Sequence, residues 1–221
     1  MWRWVLVGLC ACRIGFDELP ASDASDTVVT TVTFGERPTS QHKNVTRDAT
    51  VLGRMGNANF GDLEDLSISE YMPPDIEHSL LRFDLSSIAP ATRVVAARLT
   101  LARVDYGDEM PGQVDVLLVG ESWTEGNGMS GSGVSWNTRD GTIAWTQPGG
   151  TTTMLLTQLV PPATTFTIEL DPSIVQNWID VAANNDGVAI RVPNSSVHYH
   201  FHARNSAMAA RRPELAIDLA E

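Results

Sequence analysis

Two adjacent segments with a two-residue repeat of apolar side chains constrain this chain most. The first, HSLLRFDLSSIAP, spans residues 78–90, and its apolar side chains Leu81 and Phe83 alternate with polar ones. The second repeats the alternation at Val95, Ala97, Leu99 and Leu101. A period of two places every second side chain on one face of an extended strand. Because Pro90 and small hydroxyl residues separate the segments, we predict two antiparallel strands joined as a central hairpin.

The charge of the chain limits the partners it can have. Its 221 residues are enough for one β-sandwich with a substantial core. They include 27 acidic and 15 basic residues, which gives a formal net charge of −12. Since no cluster of Lys and Arg interrupts this excess, the composition argues against a nucleic-acid partner.

The first residues differ from the rest of the chain. Arg3 is followed by a short apolar run that is too short to span a bilayer, so residues 1–11 are predicted to be a signal peptide. The residues Leu-Cys-Ala-Cys that end at Cys12 resemble a bacterial lipobox, which implies lipidation of Cys12. An ordinary signal peptide or an unprocessed apolar tail remains open. We expect an exported protein, lipid-anchored in the envelope or extracellular, that meets membranes only through this anchor.

Residues 12–26 are acidic, lack an apolar period and are predicted to form a flexible tether, so the folded domain would span residues 27–221. About ten short alternating segments predict strands. Asp171-Pro172 begins one helix, whose apolar stripe is predicted to include Val181 and Ala182. The fold class predicted is all-β, a jelly-roll-like antiparallel β-sandwich with one short helix.

The order of several motifs resembles the DNRLRE family, a β-sandwich module also classed among carbohydrate-binding modules. The motifs are NANFGDLEDLSI, SLLRFDLSSIAPATRVVAARLTL, SWTEG with VSW, VQNW, NNDGVAI and ARRPELAIDL. The resemblance covers roughly Val32 to Leu219 and implies a cell-surface or extracellular module, with carbohydrate recognition shown for some members. The net charge of −12 argues against an acidic glycan as the ligand.

A glycine-rich stretch, residues 122–150, is predicted to be a long loop broken by a short strand at residues 134–136. It carries Trp123, Glu125, Trp136 and Trp145, and exposed Trp beside a carboxylate is suited to sugar recognition. The alternative is that Trp123 and Trp136 are core residues. Trp145 is then the predicted exposed platform.

Two groups of residues are candidate metal ligands. His198, His200 and His202 share one side of a predicted strand and could bind zinc or copper, or simply form its polar outer face. A second, oxygen-rich group could bind calcium, although Asn and Asp are also common in turns. Its members are Asp48, Asn57, Asn59 and Asp62, with Asp65 close by. We expect no required cofactor, with Ca²⁺ left open.

No nucleophile motif is present, and a carboxylate pair such as Glu125 and Asp140 is not singled out by any pattern. We therefore predict a non-catalytic surface or secreted module that binds carbohydrate. Two alternatives remain, a structural or adhesive envelope lipoprotein that binds a protein partner, and a polysaccharide-degrading enzyme.

Overall fold

The computed structural model describes residues 28–105, 111–193 and 197–220. The predicted signal peptide at residues 1–11, the lipidation site Cys12 and the tether at residues 12–26 lie outside those residues. Within them, no helix is both long enough and apolar enough to cross a membrane.

The described residues form eleven strands and one α-helix, with three short 3-10 helices. The strands are β1 (Val29–Gly35), β2 (Thr46–Leu52), β3 (Asp65–Glu70), β4 (Ile76–Phe83), β5 (Arg93–Ala102), β6 (Gly112–Val119), β7 (Thr152–Val160), β8 (Thr165–Leu170), β9 (Val188–Arg191), β10 (His198–His202) and β11 (Glu214–Ala220). The helix α1 is Pro172–Asp180, and the 3-10 helices are Gly53–Met55, Ala182–Asn184 and Ala209–Arg211.

The strands form two antiparallel sheets. A four-stranded sheet has the order β1-β11-β5-β8, and a seven-stranded sheet has the order β10-β3-β4-β9-β6-β7 with β2 paired to β4. The prediction of an all-β sandwich with one short helix is confirmed.

The main core lies between the two sheets, and the two alternating segments meet there. Leu81 and Phe83 of β4 are buried in the same cluster as Leu99 and Leu101 of β5. The predicted hairpin is nevertheless wrong, because β4 pairs with β2, β3 and β9 whereas β5 pairs with β8 and β11. Strands that face each other across a core show the same alternation as strands that pair side by side. The connection through Pro90 therefore crosses from one sheet to the other.

A second apolar cluster covers the other face of the seven-stranded sheet. Leu80 follows the opposite parity to Leu81 along β4 and points away from the main core. It packs with residues of neighbouring strands and with the glycine-rich stretch. The cluster consists of Ala49, Val51, Leu80, Leu117, Val119, Trp123, Val134, Trp145 and Ala189. The stretch is thus a packed outer layer, and residues 134–136 do not form the predicted strand.

The helix begins as predicted and ends earlier. The Asp171 carboxylate accepts a hydrogen bond from the backbone N–H of Ser173 at 2.9 Å, which caps the first turn. Val175, Trp178 and Ile179 form its buried side. The prediction that Val181 and Ala182 continue this stripe is wrong, since Val181 adopts a non-helical φ of −133° and both side chains are exposed.

Candidate functional site

The tryptophans of the glycine-rich stretch face inward. Trp123 is 2% exposed and Trp145 is 5% exposed, and both belong to the outer apolar cluster. Their indole N–H groups donate to the carbonyl oxygens of Asp186 and Ser135 at 2.8 and 2.9 Å. The prediction that Trp145 is an exposed platform is therefore wrong, while the interpretation of Trp123 as a core residue is confirmed. Neither ring presents a face to a sugar.

Trp136 and Glu125 also serve the packing of this layer. The half-buried Trp136 ring lies 5.2 Å from the imidazole of His78, measured between ring centroids. The buried Glu125 carboxylate accepts hydrogen bonds from the backbone N–H of Asp48 at 3.0 Å and from the Arg204 guanidinium. Glu125 therefore ties the stretch to β2 and to the chain after β10.

Asp48 lies beside Glu125 and shares its partner. One oxygen of the Asp48 carboxyl accepts the backbone N–H of Arg204 at 2.6 Å. Burial, opposed by that hydrogen bond and reinforced by Glu125, raises the pKa of Asp48 to about 7. Two buried acidic side chains thus meet at Arg204.

Asn59 holds the glycine-rich stretch through its side-chain amide. Its Nδ2 donates to the carbonyl oxygens of Glu125 and Val134 at 2.6 and 2.8 Å, and its Oδ1 accepts the N–H of Gly128 at 2.8 Å. The backbone approaches closely here, since a Cβ at Gly61 would overlap the Glu125 carbonyl oxygen. The buried amide therefore fixes the path of an otherwise irregular segment.

The four residues predicted as calcium ligands have separate partners. Asp48 bonds the chain at Arg204 and Asn59 bonds the glycine-rich stretch. Asn57 accepts from the Asn137 amide at 2.9 Å, and Asp62 accepts from the Asn205 amide at 3.3 Å. Calcium binding stays a prediction, and it would have to replace these hydrogen bonds.

The three histidines of β10 also have separate hydrogen-bond partners. His198 bonds Ser67 at 2.7 Å and lies 3.1 Å from a Glu77 oxygen, His200 lies 2.7 Å from an Asp65 oxygen, and the buried His202 bonds Ser206 at 2.9 Å. Among residues 28–105, 111–193 and 197–220, no group of three or more His, Cys, Asp or Glu side chains is placed to hold a metal ion. Tyr199 and Phe201 are buried on the opposite side, as expected.

The carboxylates that could have formed a hydrolytic pair are engaged elsewhere. Asp140 accepts the backbone N–H groups of Thr142 and Ile143 at 2.8 and 2.7 Å within its own turn. Glu125 is buried against Arg204. These two side chains therefore do not face a common space as a catalytic pair must.

The candidate site is a cleft where β2 begins and β4 ends. It has a volume of about 250 Å³ and lies where α1 and the turn after it pass the sheet. The polar residues that line it are Arg47, Arg82, Asp84, Ser86 and Asn185. Its apolar wall contains Phe83, Leu85, Trp178 and Ile179. Convergent polar groups beside an apolar wall are the features that a small-ligand site uses for orientation and affinity.

Two arginines face each other in this cleft. Arg47 and Arg82 are direct cross-strand partners in the β2–β4 ladder, an arrangement that costs stability for like charges. Glu125 lies 4.0 Å from Arg47, while the Arg82 guanidinium lies 5.3 Å from the centroid of the Trp123 ring. Burial lowers the pKa of Arg82, and the nearby Asp186 carboxylate opposes that shift. The glycine-rich stretch thus stabilises two neighbouring guanidinium groups that the strand pairing alone would not favour.

Acceptors complete the lining of the cleft. The Asn185 amide donates to the carbonyl oxygen of Phe83 at 2.8 Å, and its buried Oδ1 has no hydrogen-bond partner among the described residues. The exposed Asp84 carboxylate accepts the N–H of Ser86 at 2.9 Å, and hydrogen bonds from Ser86 lower the pKa of Asp84. A ligand with hydroxyl groups would find both donors and acceptors here.

Comparison with known proteins identifies the family. Residues 39–218, most of the chain, match the model of carbohydrate-binding module family 96. The chain belongs to carbohydrate-binding module family 96. A comparison with curated proteins found no match. Family 96 membership confirms the predicted relation to carbohydrate-binding modules, whereas the more specific DNRLRE assignment stays a prediction.

The cleft residues of this family 96 chain were not predicted as a site from the sequence. Arg82 and Asp84 occur in the quoted motif SLLRFDLSS, and Asn185 occurs in NNDGVAI. Both motifs carried the resemblance, but the residues lie about one hundred positions apart. Only the pairing of β2 with β4 and the return of the chain after α1 bring them together.

Proposed function

We propose that this family 96 module binds carbohydrate in the cleft between Arg47, Asp84 and Asn185. The observation that carries the proposal is that two guanidinium groups, the exposed Asp84 carboxylate and an apolar wall line one cleft. A sugar ring has hydroxyl groups that both donate and accept, and an apolar face formed by its C–H groups. The cleft offers a complement to each of these features.

We further propose that the module is non-catalytic. Asp84 is the one Asp or Glu among the described residues that line the cleft. Most glycoside hydrolases place two carboxyl groups on either side of the bond that they cut. A lone carboxylate supports binding rather than hydrolysis. The lipobox-like sequence at Cys12 supports a location on the cell surface or outside the cell.

The experiment is a binding screen with a protein in which a single methionine replaces residues 1–11. The variant Arg47→Met is screened in the same form. The panel contains neutral gluco-, manno-, xylo- and galacto-polysaccharides and polyuronates. Both kinds are needed, because the cleft carries two guanidinium groups whereas the chain as a whole has a net charge of −12. We expect one polysaccharide class to bind and Arg47→Met to weaken it about tenfold or more, as loss of a charged hydrogen bond predicts.

Arg98→Met is the matched control, because Arg98 pairs with Asp218 on the four-stranded sheet and does not line the cleft. It should bind as the wild type does. A wild-type chain that binds none of the panel contradicts the proposed function. Equal affinity of Arg47→Met and the wild type contradicts the cleft as its site.

A further inference from the structure

An exposed aromatic ring stands at the end of β4 that is remote from the cleft. Tyr71 lies between the end of β3 at Glu70 and the start of β4 at Ile76, whereas the cleft residues Arg82 and Asp84 lie at the other end of β4. The residue is 50% exposed. Its backbone N–H donates to the carbonyl oxygen of Asp75 at 3.0 Å, so the turn holds its position.

Tyr71 is supported by the histidines of β10. The ring of His198 meets it edge to face with 6.3 Å between centroids, and the ring of His200 lies 4.2 Å beyond His198. Glu77 lies 3.1 Å from His198, and Asp65 lies 2.7 Å from His200. The three rings and their carboxylates therefore form a braced strip along the sheet, which we call the tyrosine–histidine strip.

The strip combines an apolar face with polar groups at its edge. The hydroxyl of Ser67 bonds both the His198 ring nitrogen, at 2.7 Å, and the Glu77 carboxylate. The side chain of His198, beside Tyr71, is 30% exposed, and that of Asp65, beside His200, is 23% exposed, so both reach solvent. Aromatic rings that other side chains already hold in place lose little conformational entropy when a ligand stacks on them.

We propose that the tyrosine–histidine strip is a second carbohydrate-binding site, in which a pyranose ring stacks on Tyr71 and its hydroxyl groups bond His198 and Glu77. The ligand class rests on the proposed function, while the site is separate from the cleft. Stacking uses the C–H face of the sugar against the π face of the ring, and the carboxylate and imidazole complete the polar contacts. In this proposal the histidines of β10 support and bind a sugar, and they do not share a metal ion.

The test is calorimetry with short oligosaccharides of whichever polysaccharide class in the panel the wild type binds. We expect two sites per wild-type chain, and one site after Tyr71→Ala, with the cleft affinity unchanged. Tyr71→Phe keeps the ring and should retain both sites. Met208→Ala removes another exposed side chain of similar exposure and should bind as the wild type does.

The outcomes separate this proposal from the proposed function. One site in the wild type, or two sites retained in Tyr71→Ala, overturns the second site. If the wild type has one site and Arg47→Met weakens binding there, the proposed function stands without the second site. Conversely, loss of one site in Tyr71→Ala and loss of the other in Arg47→Met supports both. A wild type that binds no member of the panel overturns both.

Discussion

The carboxyl group of Asp48 is in surroundings that alter its proton affinity. It is 2% exposed, and burial is the main cause that raises its pKa to about 7, from an ordinary value of 3.8. Between about pH 4 and pH 7 the folded chain therefore holds a proton that the unfolded chain has released. The stability contributed by this group is complete below pH 4, falls as the pH rises through that window, and is constant above it.

We predict that Asp48→Asn removes this pH dependence. The amide stays neutral, and its oxygen can still accept the N–H of Arg204. Between pH 4 and pH 8 the free energy of unfolding of the variant should rise relative to that of the wild type by up to about 4 kcal/mol. Urea titrations at several pH values measure the difference. Parallel curves for the two proteins would contradict the raised pKa of Asp48.

Asp140→Asn is the matched control, because its carboxylate is affected in the opposite direction. Hydrogen bonds from the backbone of Ile143 and Thr142 lower the pKa of Asp140. A group whose pKa is lowered by folding stabilises the fold at pH values above its pKa in the unfolded chain. That stability is lost as the pH falls. Asp140→Asn should therefore be less stable than the wild type near neutral pH, with a difference that shrinks in acid.

Strands with a regular alternation were predicted well from the sequence, and those without it were not. Leu99 and Leu101 of β5 indicated a strand because each inward residue is separated by one outward residue. In β7 the register with β6 shifts between Val116 and Leu117, which leaves Leu155 as an extra residue. The bulge breaks the period of two, so the sequence TTMLLTQLV gave no strand signal.

The candidate site was less predictable than the fold. An exposed Trp and a Trp that covers the outer face of a sheet have the same sequence signal, so the burial of Trp145 depended on knowing that the glycine-rich stretch folds back. The cleft joins side chains from β2, β4 and the turn after α1. No local sequence pattern predicts that these side chains lie together, because their proximity depends on the order of the strands in the sheet.

Since the glycine-rich stretch is a packed layer, we predict that Trp145→Ala affects stability and not ligand contact. Truncation of a buried aromatic side chain typically costs about 3–5 kcal/mol, and here it also removes the hydrogen bond to Ser135. The free energy of unfolding should fall by that amount. At a temperature where the variant is folded, its affinity for the bound polysaccharide should stay within about twofold of the wild type. A selective loss of affinity with unchanged stability would show that Trp145 contacts the ligand.

The described fold depends on burial, hydrogen bonds and ion pairs. The two cysteines of the chain, Cys10 and Cys12, precede the described residues, so no disulfide supports the strands described here. Such a domain keeps its stability in either a reducing or an oxidising compartment. The fold therefore does not indicate the compartment in which the protein works.

We predict that Cys12 carries a lipid. Metabolic labelling with a palmitate analogue should mark the wild type and not Cys12→Ser, because the lipobox-like sequence ends at that cysteine. Cys10→Ser is the control and should be labelled like the wild type. Equal labelling of the wild type and Cys12→Ser would remove the lipid anchor from the proposed location.

The pairing of β1 with β11 also affects how the chain is made. Val29 lies opposite Ala220, so the first described strand finds its neighbour only when the last one leaves the ribosome. Until then, the backbone groups of β1 that bond β11 have no partner strand, although Thr33 and Gly35 also bond the nearby His42. Closure of the smaller sheet therefore requires that residues 214–220 have been synthesised, and the unpaired edge of β1 favours aggregation until then.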